Sequence, residues 1–153
     1  MSRIKEEIES LRIYMDTCCY KRPFDDQTQD RIYIETEIIL SIIAKCDRGE
    51  WELLSSEVLK YEFGNDKDIE RKRYMIALYC NDNNTYPITE IIKQRANEFQ
   101  QCGVKLIDSI HLATAENANA DVLLTVDNQF FTSSQRTDSR IKVIRPKEFM
   151  EEL

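Results

Sequence analysis

Four acidic residues occupy positions from which they could share one catalytic task. Asp16 and Asp127 each end an apolar stretch, and Asp108 follows a short apolar run. Glu62 lies one to two turns into a predicted helix. Carboxylates held close together repel one another, and a bound cation relieves that repulsion. Oxygen ligands without Cys or His favour a hard ion, so the expected cofactor is Mg²⁺ or Mn²⁺.

Alternating strands and helices predict how these acids are brought together. The predicted strands are 12–16, 51–55, 122–126 and 141–144. The predicted helices are 27–48, 57–65, 68–80, 89–101, 108–119 and a short one after Pro146. This order is typical of a single-domain α/β fold with three α/β/α layers and a mainly parallel sheet. Because ligands bind at the carboxyl ends of such strands, we expect the acids to meet at that edge.

Local signals predict where two of the helices begin. Asp26 with Gln29 resembles a capping box for the long helix. Ser56 is a candidate N-cap for the helix that carries Glu57 and Glu62. These glutamates are five residues apart in the sequence, which places them about 140° apart around the helix. Only one can face a metal site, and we expect it to be Glu62, because Glu57 lies in the first turn beside the helix dipole.

Composition excludes several classes of protein. The chain has 153 residues with 42% hydrophobic and 32% charged residues, enough for one folded domain. Three dispersed glycines exclude a phosphate-binding P-loop, and one histidine excludes zinc sites with two imidazoles. Five cysteines without a C-x-x-C pair favour free thiols over a disulfide framework. A charged beginning and the lack of a long apolar run predict a cytoplasmic protein with no membrane span.

Four segments resemble the PIN-domain family, which includes the VapC-like ribonuclease toxins. The family's patterns are a strand ending in Asp-Thr, a strand–Ser–helix–Glu segment, an Asp opening an Ala-rich helix, and a strand ending in Thr-x-Asp with a Phe soon after. They are matched here by Met15-Asp16-Thr17, by Leu53 through Glu62, by Ile107 through Ala115, and by Leu124 through Phe130. The segment Arg22 through Gln27 looks like one branch of the family. The Cys18–Cys19 pair departs from the pattern.

The resemblance implies a metal-dependent endoribonuclease, often the toxin of a toxin–antitoxin pair. The matched positions imply that Asp16, Glu62, Asp108 and Asp127 are catalytic and hold the metal, with Thr125 and Thr17 in support. The implied partners are RNA and an antitoxin protein, and a homodimer is left open. The nuclease domain is predicted over residues 12–153, after an N-terminal extension at 1–11 with an apolar stripe of Ile4, Ile8 and Leu11.

Net charge weighs against RNA binding unless the charge is segregated. The chain carries a formal charge of −7, and acidic proteins bind nucleic acid poorly. Basic runs at 71–73 and 136–147 could contact phosphate, although a solvated face is the simpler interpretation. A non-catalytic PIN-like binding module stays an alternative. A haloacid dehalogenase phosphatase is disfavoured, because Cys18 occupies the position where its second acid belongs.

Overall fold

The structure, a computed structural model, describes residues 10–153. Its strands are β1 (Arg12–Met15), β2 (Glu52–Ser56), β3 (Thr85–Tyr86), β4 (Val122–Leu124) and β5 (Lys142–Ile144). Its α-helices are α1 (Thr17–Lys21), α2 (Asp30–Asp47), α3 (Glu57–Gly64), α4 (Ile69–Tyr79), α5 (Glu90–Gln101), α6 (Leu106–Asn117), α7 (Asn128–Ser134) and α8 (Pro146–Glu152). A 3-10 helix at Arg22–Phe24 follows α1.

The strands form one parallel five-stranded sheet in the order β3-β2-β1-β4-β5. The chain runs from β1 toward one edge and then returns to β4 on the other side of β1. Right-handed crossovers therefore place the helices before β2 and those before β4 on opposite faces. On these faces α2 packs against α8, and α5 packs against α6. The predicted three-layer α/β class with a mainly parallel sheet is confirmed.

The core lies on both faces of the central strands. Ile13, Tyr14 and Met15 of β1 and Leu123 and Leu124 of β4 are all fully buried. A parallel strand covered by helices on both sides must be apolar throughout, which explains the unbroken apolar runs in these strands. After the buried runs of β1 and β4, polar side chains such as Asp16 and Thr125 follow directly at the carboxyl edge of the sheet.

Of the two predicted helix starts, one is correct and the other is wrong. Ser56 caps α3, its Oγ accepting a hydrogen bond from the Leu59 amide at 3.1 Å. The capping box at Asp26 is wrong, because α2 begins later, with Gln29 as its N-cap. The Asp26 carboxylate instead accepts hydrogen bonds from the amide and hydroxyl of Thr28, at 3.0 and 2.7 Å. This local turn satisfies Asp26 before the helix starts.

Arg22 holds the loop between α1 and α2 against α2. Its guanidinium forms ion pairs with buried Glu35 of α2 at 2.9 Å and with Asp25 at 3.1 Å. The amide of Gln27 donates to the Arg22 carbonyl at 3.0 Å. The segment Arg22 through Gln27 therefore packs α1 against α2, and so fixes the direction in which α1 leaves the end of β1.

Of the predicted N-terminal extension at 1–11, only residues 10 and 11 are described. The predicted stripe residues Ile4 and Ile8 lie outside the described residues, so the extension at 1–11 stays a prediction. Leu11 is partly buried against the core, directly before β1. None of the helices within residues 10–153 is long and apolar enough to cross a membrane.

Candidate active site

Asp16 lies directly after β1, in the crevice between β1 and β4. Its amide donates to the Leu124 carbonyl at 3.2 Å, which fixes its backbone against β4. Its carboxylate is buried and accepts from the Thr125 hydroxyl and from the Cys18 thiol, each at 2.7 Å. Burial raises the pKa of Asp16 well above its ordinary value, and the neighbouring Cys18 adds to the rise. A cation beside this carboxylate would stabilise its charged form.

Glu62 reaches the same edge of the sheet from α3. Its Oε1 accepts a hydrogen bond from the Thr17 hydroxyl and lies 2.5 Å from Nε2 of His111. Burial raises the pKa of Glu62, but the hydrogen bond and charge of His111 and the bond from Thr17 outweigh it and lower the pKa overall. Glu62 is therefore held as a carboxylate. Glu57 points elsewhere, its Oε2 accepting from the Ile88 amide at 2.8 Å.

A buried chain of hydrogen bonds extends from Glu62 into the core. Nδ1 of His111 lies 2.6 Å from the Tyr14 hydroxyl, which lies 2.7 Å from Oγ of Ser56. Since Ser56 already accepts from the Leu59 amide, its own proton is available for the Tyr14 oxygen. Tyr14 then donates to Nδ1, and Nε2–H donates to Glu62. In this direction every bond of the chain has a donor.

Asp108 is the least compensated of the four acids. It lies in the first turn of α6, and its carboxylate receives no hydrogen bond or ion pair within residues 10–153. Burial raises its pKa to about 6, and the negative charges of Asp127 and Glu62 contribute to the rise, although His111 and Lys105 oppose it. Two acids from other elements are thus near enough to Asp108 for their charges to repel.

Asp127 has a structural role at the start of α7. It is exposed, and its Oδ1 caps α7 by accepting from the Gln129 amide at 2.9 Å and the Phe130 amide at 3.4 Å. Its own amide donates to the Thr125 hydroxyl at 3.0 Å. Thr125 therefore connects Asp127 to Asp16, because its hydroxyl proton goes to the Asp16 carboxylate.

The four acids do not close around one point. Among the described residues, only Asp16, Cys18 and Cys19 place three ligand atoms within 4.8 Å of one another. No three of the predicted acids meet that distance. Asp108 nevertheless has free oxygens and repelling neighbours, and this donor set fits a hard cation. Mg²⁺ commonly keeps several of its own waters and takes only one or two carboxylates directly, so it does not require three acids around one point.

Two residues that support this site are not among the predicted site residues. Nε2 of His111 contacts Glu62 directly, and Tyr14 reaches Glu62 only through His111. A signal was present, because His111 follows Asp108 by three residues and therefore lies on the same side of α6. Tyr14 gave no signal, since an aromatic residue in a buried strand is ordinary.

Comparison with solved structures identifies the fold. No protein-family model matches the chain, and neither does any curated protein. FitAcB from Neisseria gonorrhoeae is similar over 88% of this chain and 98% of that chain, with a TM-score of 0.56 and 15% identity. The chain has a PIN-like fold. VapBC2 from Rickettsia felis, bound to a DNA fragment from their promoter, is similar over the same shares, with a TM-score of 0.53 and 14% identity. At these identities the likeness is one of fold.

Proposed function

We propose that this PIN-like protein is a Mg²⁺- or Mn²⁺-dependent endoribonuclease whose acidic site consists of Asp16, Glu62, Asp108 and Asp127. The observation that carries the proposal is the environment of Asp108. Its carboxylate has no hydrogen-bond partner within residues 10–153, and burial together with the charges of Asp127 and Glu62 raises its pKa. A bound cation would relieve that cost. The site lies at the carboxyl edge of a parallel sheet, where ligands bind in such folds.

When bound, the metal supplies an activated water and stabilises negative charge on the phosphate. The residues of the chain prepare the site for it. Thr125 and Cys18 orient the Asp16 carboxylate by donating to its two oxygens. Thr17 and His111 orient Glu62 and keep it ionised, so that it can accept a proton or a hydrogen bond from a water molecule.

A basic cleft beside Asp108 supports a polyanionic substrate. This cleft has a volume of about 390 Å³, and its lining includes Lys105, Asp108, Gln129 and Arg136. Lys105 Nζ lies 2.6 Å from Gln129 Oε1, and the pair lies at the rim of the cleft. In our proposal Lys105 and Arg136 contact the phosphates next to the bond that is cleaved. The predicted run at 71–73 is a weaker candidate, because Arg71 is already paired with Asp66 at 2.6 Å.

Cleavage of single-stranded RNA by the purified full chain tests the proposal. We expect cleavage with Mg²⁺ or Mn²⁺, none with excess EDTA, and none in the Asp16→Asn or Asp108→Asn variants. Asp82→Asn is the matched control, because Asp82 is exposed in the turn between α4 and β3. If folded, metal-loaded protein leaves RNA intact, the non-catalytic binding module becomes the better function.

An antitoxin partner is the second part of the proposal. An acidic site attracts a basic side chain, and Arg fits carboxylates best because it binds them through two hydrogen bonds. The similarity in fold to VapBC2, which was solved bound to a DNA fragment from their promoter, supports this part of the proposal. We place the protein in the cytoplasm, where its free thiols would persist. Growth arrest on expression, relieved by co-expressing the neighbouring gene, is the expected result. A homodimer stays a prediction.

A further inference from the structure

The end of β1 carries a second set of ligands that differs in chemistry from the four acids. The ligand atoms of Asp16, Cys18 and Cys19 all lie within 4.8 Å of one another. Sγ of Cys18 is 2.7 Å from Oδ1 of Asp16, and the Thr125 hydroxyl lies 3.5 Å from the same sulfur. One carboxylate and two thiols therefore face a single point, with a hydroxyl beside them.

This donor set suits a soft or borderline cation better than a hard one. Thiolates select zinc-like ions, while Mg²⁺ takes oxygen ligands. A tetrahedral zinc site with Zn–S bonds of about 2.3 Å places neighbouring ligand atoms slightly less than about 4 Å apart. The observed group needs only small shifts to reach that spacing. Cys18 is partly exposed, which leaves a path by which an ion can reach the group from solvent.

We propose that Asp16, Cys18 and Cys19 bind a thiophilic divalent cation of the Zn²⁺ type. Each thiol releases its proton to water as its sulfur joins the metal, and a water molecule completes the tetrahedral shell. Asp16 is a ligand in both proposed sites. An ion bound by the two sulfurs therefore occupies the Asp16 carboxylate, which can then no longer bind the hard cation. The thiophilic ion is therefore an inhibitor. Binding of the thiophilic ion does not depend on the proposed nuclease activity. Its inhibitory effect does rest on that proposed activity.

Titration with Cd²⁺ tests the binding step directly. Cadmium bound to thiolates gives an ultraviolet charge-transfer band, which the reduced, metal-free full chain should develop until one ion is bound per chain. Cys18→Ser should abolish that stoichiometric band. Cys102→Ser is the matched control, because Cys102 is exposed and outside the group, and it should titrate like the parent.

Two results of this titration overturn the proposal. One is a parent protein that develops no saturable thiolate band, and the other is a Cys18→Ser variant that develops the parent's band. Cys19 is fully buried, so Cys19→Ser is used only if its circular dichroism matches the parent. Cys18→Ser decides the question alone if Cys19→Ser does not fold.

Inhibition is measured as the rate of Mg²⁺-dependent RNA cleavage with added Zn²⁺, divided by the rate of the same variant without it. Loss of the Cys18 ligand should raise the Zn²⁺ concentration for half-inhibition by at least about tenfold, while Cys102→Ser stays with the parent. Equal inhibition of the parent and Cys18→Ser contradicts the shared-ligand argument. If the parent cleaves no RNA at all, the proposed function fails, and the cadmium titration still decides whether the site exists.

Discussion

Replacing Asp108 by Asn should make the metal-free protein more stable at neutral pH. Folding raises the pKa of Asp108 from 3.8 to about 6. A shift of about two pKa units corresponds to about 3 kcal/mol, and partial exposure of the side chain reduces this to about 1–2 kcal/mol. Asn keeps the shape of the side chain without the charge, so the variant is relieved of that cost.

The size of the effect depends on pH. Well below pH 3.8 the carboxyl is protonated in both the folded and the unfolded chain, so the parent is not penalised there. As the pH rises toward 6, the unfolded chain ionises more readily than the folded one, and the parent loses stability. The advantage of Asp108→Asn should therefore be small at pH 4 and complete above pH 7.

Thermal unfolding of the metal-free proteins at a series of pH values measures this difference. A gain of about 1–2 kcal/mol should raise the melting temperature of a chain this size by about 3–6 °C at pH 7.5. Asp82→Asn serves as the control for removing one negative charge from the surface. A gain that is equal at pH 4 and pH 7.5, or equal in the control, would show that the repulsion assigned to Asp108 is absent.

Three further predictions concern other parts of the site. Mg²⁺ or Mn²⁺ at about 100 times its dissociation constant should stabilise the parent by about 2.7 kcal/mol in a thermal melt. Asp108→Asn should reduce that gain in stability. An unchanged gain in the variant would argue that the ion binds elsewhere. Glu62→Gln should abolish RNA cleavage, while Glu57→Gln keeps it, and the opposite result in parallel rate assays would move the catalytic role to Glu57. Tyr14→Phe leaves Nδ1 of His111 without its partner, so urea unfolding should show a loss of about 1–3 kcal/mol; a neutral result would mean that water replaces the hydroxyl.

The layer architecture could be predicted because apolar periodicity reports burial directly. The buried runs Ile13–Met15 in β1 and Val122–Leu124 in β4 contain no charged residue, and Ser56 signalled the start of α3 by its residue type. The short elements α1, α7 and β3 gave no usable period, since five or seven residues hold less than two helical turns and two residues hold no alternation.

The site was harder to predict than the fold because hydrogen bonds join residues that are far apart in the chain. The position of Asp16 at the end of a strand was readable, but its bond with Thr125 spans 109 residues. The bonds of His111 to Tyr14 and Glu62 span 97 and 49 residues. Only the three-dimensional arrangement shows that an ordinary core tyrosine and a single histidine support a carboxylate at the edge of the sheet.

The solitary imidazole gives the molecule a built-in spectroscopic reporter. His111 is the single histidine of the chain, so its ring nitrogen and carbon signals in an NMR spectrum need no mutagenesis to assign. The ring lies between Tyr14 and Glu62, and the chemical shifts of its two nitrogens distinguish the tautomers. Ions, nucleotides or a partner peptide that disturb Glu62 should therefore shift one resolved set of resonances. Ligand screening could then proceed on the unmodified protein before any substrate is known.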